Sequence, residues 1–152
     1  YYGGGATPIQ PYAFWSNTAP SLGLGIDVRE AGIDWPALKK LIGAWRELNR
    51  YYYGDFYPLT ECSRDPKMWI AWQFDLPESG EGAVQAFRRG ECPDASVRVR
   101  LRGLNPKARY RIADLDTGTQ QELTGAALTD AGLLVESPQK PGAVTLRYRR
   151  VR

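Results

Sequence analysis

The chain has 152 residues, 43% hydrophobic and 24% charged, and its 20 basic and 17 acidic side chains leave a formal charge of +3. That is an ordinary globular composition with enough length to bury a core, and the charge is too balanced to argue for nucleic acid. There is no histidine, which excludes histidine triads and histidine metal sites within these residues.

No apolar run reaches the roughly eighteen residues of a membrane span, and no basic-then-apolar leader opens the sequence, so neither a span nor a signal peptide is expected. The first residue is Tyr1 and not Met, which raises the expectation of a processed product or a piece of a longer reading frame. Cys62 and Cys92 have no metal-ligand spacing around them and are expected as two reduced thiols, a single disulfide being the alternative.

Residues 1–11, rich in glycine and proline, are expected to form a loop. Gly3, Gly4 and Gly5 suggest a phosphate cradle only weakly, because the Lys-Ser/Thr of a P-loop is missing. Residues 21–28 are expected as a short buried strand ending at Asp27, a carboxylate where α/β barrels place functional groups. The plainer reading of Asp27 is a salt bridge with Arg29.

The clearest element follows. Asp34 suits a helix N-cap, Pro36 suits the first turn, and Leu38, Leu41, Ile42, Trp45 and Leu48 recur at helical spacing. One strand and one helix cannot bury that apolar face between them, so residues 1–50 read as the tail end of an α/β domain. Residues 51–60, with Tyr51, Tyr52, Tyr53, Phe56 and Tyr57, read as a packed connection around Gly54.

Beyond it the pattern changes to short alternating strands. They are expected over 68–75, 82–88, 97–101, 110–115, 120–123, 133–136 and 144–149, the first two forming a hairpin. Met68, Ile70, Trp72 and Phe74 fall on one face of the first strand. Turn chemistry at Asp116-Thr-Gly118 and Pro141-Gly142 recurs at the spacing of an antiparallel sandwich, which is expected to close its core without residues 1–50. Arg98, Arg100 and Arg102 alternate with Val97, Val99 and Leu101, as either a solvated outer face or a polyanion site.

In a chain without histidine, acid–base work on sugars calls for paired carboxylates. Asp27, Asp34, Asp55, Asp65 and Asp75 are available, but each has a simpler explanation as a cap, turn or strand end. Aromatic rings that stack on sugar faces are the other candidate chemistry. Trp15, expected on a loop beside Ser16 and Asn17, is the main sugar-contact candidate, while most other rings are expected in packing.

The run Pro11-Tyr-Ala-Phe-Trp-Ser-Asn-Thr-Ala-Pro-Ser-Leu-Gly-Leu-Gly-Ile-Asp-Val-Arg29 resembles the end of the catalytic barrel in α-galactosidases of glycoside hydrolase family 36. Tyr51-Tyr-Tyr-Gly-Asp-Phe-Tyr-Pro-Leu-Thr60, Trp69-Ile-Ala-Trp-Gln-Phe-Asp75, Gly80-Glu-Gly82 and Val84-Gln-Ala-Phe-Arg-Arg89 are similar, in the same order, to the junction and first strands of that family's C-terminal sandwich. Leu101-Arg-Gly-Leu-Asn-Pro-Lys-Ala-Arg-Tyr-Arg111 and Asp114-Leu-Asp-Thr-Gly118 continue the match.

The resemblance implies a mostly β chain: an antiparallel β-sandwich C-terminal domain over 61–152, preceded over 1–60 by the last strand and helix of a truncated (β/α)8 barrel with its linker. For the parent it implies retaining hydrolysis of terminal α-galactosides by two aspartates, without cofactor. Both family aspartates lie upstream of the position matching Tyr1, so no catalytic residue is assigned and the chain alone is expected to be inactive.

Trp15, Asn17 and Asp27 are the candidate substrate-side residues, and no metal is expected. The expected partners are the missing N-terminal barrel, a galactoside in the parent, and further copies of the chain in a homo-oligomer; nucleic acid and membrane are not expected. The alternative reading is a non-catalytic carbohydrate-binding module.

Overall fold

A computed structural model describes residues 9–151. Gly3, Gly4 and Gly5 lie outside them. Three layers are stacked: a helical layer, a six-stranded antiparallel sheet and a two-stranded sheet.

The helical layer holds α1 (Pro11–Ser16), α2 (Trp35–Leu48) and a 3₁₀ turn (Asn49–Tyr53). The large sheet runs in the order β1-β2-β3-β8-β5-β6, built from β1 (Asp55–Pro58), β2 (Trp69–Leu76), β3 (Glu81–Arg88), β8 (Gly142–Arg150), β5 (Arg109–Asp114) and β6 (Gln120–Thr124). Opposite its other face lie β4 (Ser96–Val99) and β7 (Leu133–Glu136).

The predicted helix forms as expected. Asp34 Oδ1 accepts the backbone N–H of Ala37 at 2.9 Å, satisfying one of the orphan donors of the first turn. The alternating strands form within a residue or two of their expected ends. A mostly antiparallel β architecture is therefore observed, with the sandwich made of unequal sheets.

Strand alternation sends each strand's two faces to two different cores. Trp69, Ala71, Val84, Ala86, Ile112, Leu146 and Tyr148 face the small sheet and meet Val99, Leu128, Leu133 and Val135. Ala83 and Phe87 face the helices and meet Phe14, Trp15, Leu38, Leu41, Leu48 and Tyr51. Nearly every residue of β3 is buried as a result, the signature of a strand covered on both sides.

Three expectations need correction. Residues 21–28 form no strand, and Leu24 and Val28 are exposed; among the described residues no strand pairs with them to complete a backbone ladder. The core between the two sheets draws on no residue of 1–50, as expected, while the helices build a second core on the outer face of β2, β3 and β8. The apolar row Ile70, Trp72 and Phe74 is only half-buried and lies toward the helices, while Trp69, Ala71, Gln73 and Asp75 are the deep face. Within 51–60, residues Asp55–Pro58 are a strand paired with β2, so a boundary at 60 falls after the first strand of the sheet and not before it.

Cys62 is exposed, Cys92 is buried, and both are free thiols. Arg98 donates to the Gly132 carbonyl at 3.1 Å. Arg98, Arg100 and Arg102 are exposed, but β4 ends at Val99, so the three do not continue along one strand.

Candidate functional site

The seam between helices and sheet gathers several of the aromatic residues that the sequence singles out, Trp15, Tyr51, Tyr52 and Trp72 among them. Tyr51 is fully buried in it, and Tyr52 packs edge-on against Phe74 with centroids 4.9 Å apart. The Tyr52 hydroxyl lies 2.7 Å from Thr18 Oγ1 and donates to Gln85 Oε1 at 3.4 Å; burial pushes the phenol's pKa up. Gln85 Oε1 also accepts the Trp72 indole N–H at 3.0 Å. A single buried amide on β3 thus anchors two rings and, through Tyr52, the turn after α1.

Charged groups close the rim. Glu81 takes Arg149 at 2.7 Å, the Tyr51 hydroxyl at 3.3 Å and the Arg50 guanidinium. Arg147 of β8 reaches Glu47 of α2 at 2.9 Å, and Lys40 of α2 donates to the Asp116 carbonyl at 2.9 Å. A cleft of about 850 Å³ opens beside these contacts, between the start of α1, α2 and the segment leading into β8. Burial and the neighbouring Asp114 push the Asp116 carboxyl, which lines this cleft, above the usual carboxylate range.

The three sequence-predicted site residues are not drawn together by any hydrogen bond to one another. Trp15 is not on a loop: it lies in α1, is fully buried, and packs edge-on against Phe14 at 5.2 Å. An apolar helix face laid on a sheet must bury its largest ring, and Trp15 is that ring. Asn17 is exposed, its amide donating to the Ala13 carbonyl at 2.8 Å as the end of the helix. Asp27 is exposed and clasped by Arg29 through Nε at 2.8 Å and Nη2 at 2.6 Å, which holds its carboxyl below the usual range. The plainer reading of Asp27 is what the geometry contains.

The remaining candidate carboxylates also have structural partners. Asp34 caps α2, and Asp65 Oδ1 accepts the Lys67 N–H at 2.9 Å. Asp55 and Asp75 stand opposite one another on β1 and β2, but Asp75 is 2% exposed and offers a substrate no approach. Among the described residues no group of three or more Cys, Asp or Glu is placed to hold a metal ion.

Gln85, Glu81 and Arg88 escaped the sequence reading. Their signal was polar residues inside an otherwise apolar strand run. Arg88 is buried with no carboxylate beside it and donates instead to the carbonyls of Cys92, Pro93, Ser137 and Pro138 at 3.0–3.4 Å.

The glycosyl hydrolase family 36 C-terminal domain matches residues 69–146. The chain belongs to this family. The match begins at the first residue of β2 and ends within β8, so it takes in both sheets of the family 36 domain except β1 and the end of β8.

Solved structures carry the likeness further. A variant of the family 36 α-galactosidase AgaA from Geobacillus stearothermophilus, in complex with stachyose, superposes with a TM-score of 0.67 at 22% identity over 85% of this chain. AgaB, a family 36 α-galactosidase from the same organism, gives 0.57 at 26% identity over 76%. The galactosidase domain of the α-galactosidase-sucrose kinase AgaSK gives 0.54 at 26% identity over 76%. The family 36 domain chain spans only 15–18% of the length of these proteins. No curated protein sequence matches it significantly.

Proposed function

We propose that this chain is the C-terminal part of an α-galactosidase-like glycoside hydrolase, in which residues 1–60 complete a catalytic (β/α)8 barrel and 61–152 form the sandwich that braces it. The observation that carries this reading is the seam. Helices and sheet share one apolar core, and the polar links of Gln85, Glu81, Arg147 and Lys40 make the two sides a single packed body. In this reading the parent hydrolyses terminal α-galactosides with retention, and its two aspartates belong to earlier barrel strands.

Asn17 and Asp27, both exposed, are proposed to lie on the substrate side of the parent. Trp15 is proposed to act from beneath, holding the Ser16–Thr18 turn. Self-association of the parent through this domain is a further element of the proposal.

The test is an assay of the purified 152-residue chain on an aryl α-galactoside. No nitrophenol release is expected, with or without an Asp27→Asn change. Release that the change abolishes would overturn the reading.

A second reading, a carbohydrate-binding module, draws on one observation: Tyr53 and Phe56 are exposed by 76% and 57% at the β1 edge. It requires saturable quenching of tryptophan fluorescence by galactose or an oligosaccharide, lost in a Tyr53→Ala, Phe56→Ala double variant.

A further inference from the structure

One rung of the large sheet reads, across four strands, Asp55, Asp75, Gly82 and Tyr148. Directly opposed residues of antiparallel strands share a face, with Cβ atoms about 4.5–5.5 Å apart, and like charges there repel. Gly82 has no side chain, and a Cβ at that position would stand 2.2 Å from the Tyr148 hydroxyl. The tyrosine ring therefore crosses β3 and donates to Asp75 Oδ1 at 2.5 Å.

The Asp75 carboxyl is otherwise starved. Its Oδ2 is buried and has no hydrogen-bond partner. Gly103, at φ +74°, folds the following loop over that oxygen, and a Cβ there would come within 2.8 Å of it. None of the ion pairs among the described residues includes Asp75.

From β1 come Asp55 and Tyr57, the phenol donating to Asp55 at 3.5 Å. From β8 comes Tyr148, and from β2 itself Gln73, whose amide donates to the Tyr148 hydroxyl at 2.8 Å. The turn after β2 brings Glu78, and the charge of Arg102, beside Gly103, acts on Tyr57. A buried carboxylate facing two other carboxylates with no cation paired to it is costly when ionised.

We propose that the β1–β2 edge is a proton-operated seam, in which a single proton taken from solvent by the Asp75 carboxyl removes its repulsion with Asp55 and fastens β1 to the sheet. β1 follows the 3₁₀ turn out of the helical layer after one residue, so this edge is where that layer is tied to the sandwich. The device is a property of this chain and does not depend on the bracing role.

The sign follows from linkage. Burial, then Asp55 and Glu78, raise the Asp75 pKa above its ordinary value of 3.8, against the Tyr148 bond. The folded state therefore binds the proton more tightly than the unfolded chain does. The stabilisation is fully present below the unfolded value and is lost as pH rises through the folded one.

The experiment follows the ¹³C carboxyl resonance of Asp75 in the intact chain from pH 4 to 8, together with protection factors of the β1–β2 amides. Asp75 is expected to titrate above the ordinary carboxylate range, with β1 protection falling over the same interval. Asp75→Asn is expected to make β1 protection independent of pH and to raise Tm at pH 7 by about 2–4 °C. Asp55→Asn, an exposed change that leaves the core untouched, is expected to lower the Asp75 pKa.

Titration of Asp75 at or below the ordinary range would overturn the proposal. So would an Asp55→Asn chain with an unshifted Asp75 pKa, or an unchanged pH dependence of β1 protection in Asp75→Asn.

Discussion

The two faces of the large sheet bury apolar surface in different ways. Toward the small sheet the core is continuous and mostly aliphatic, and its buried polar groups lie at its two ends, Arg88 and Ser137 at one and Gln73, Asp75 and Tyr148 at the other. There Gln73 pairs with the backbone of Arg102 through both amide groups at 2.8 Å, replacing the strand rung that the loop no longer supplies. Toward the helices the core is aromatic and interrupted: Gln85 and Thr145, opposed on β3 and β8, both lie within it. Leu24, Val28 and Trp35 meanwhile remain at the surface of the helical side. The first face is the interior of a domain, whereas the second is built like an interface that happens to run within one chain.

Core truncations on the two sides sharpen that contrast most. Leu128 is fully buried between the sheets, and Leu128→Ala is expected to cost about 3–5 kcal/mol of global stability, measured by urea unfolding. Leu41, on α2, is nearly as buried. Leu41→Ala is expected to cost about 2–3 kcal/mol, with faster amide exchange over Trp35–Leu48 and unchanged exchange in the β3–β8 ladder. Equal loss of protection in both regions would mean that the helical layer and the sandwich unfold as one unit.

Arg88 comes next. Its guanidinium collects carbonyls from the turn after β3 and from the segment before β8, joining two loops that cap one end of the sandwich. Lysine carries the charge but not the planar fork, so Arg88→Lys is expected to cost about 2–3 kcal/mol in the same unfolding measurement. A loss no larger than a surface substitution would remove the clamp from the account.

Much of this was legible beforehand, and for identifiable reasons. The helix announced itself because Asp34, Pro36 and five apolar residues supply cap, first turn and stripe together. The strands did so because their alternation is regular and Gly and Pro punctuate it. What misled was the assumption that an alternating strand has one wet face. In β2 the row Ile70, Trp72 and Phe74 looks like the core, yet the deeper row contains Gln73 and Asp75, because helices cover one side and a second sheet the other. Residues 21–28 misled for the opposite reason: their strand propensity was real, but a strand exists only with a neighbour, and no sequence pattern states whether the neighbour is present. Trp15 looked available because Ser16 and Asn17 follow it, and the short helix that turns it inward leaves little periodicity to read.

The smallest effect tests the polar pair on the helical side. Thr145 Oγ1 and Gln85 Nε2 are buried and have no partner among the protein atoms, though their strands bring them face to face. A buried hydroxyl without a partner is a net cost, and valine fills nearly the same volume without it. Thr145→Val is therefore expected to stabilise the chain by up to about 1 kcal/mol, seen as a higher urea midpoint at an unchanged slope. Loss of stability would place a bridging water between the two side chains, and the helical side would then be as well satisfied as the sandwich core.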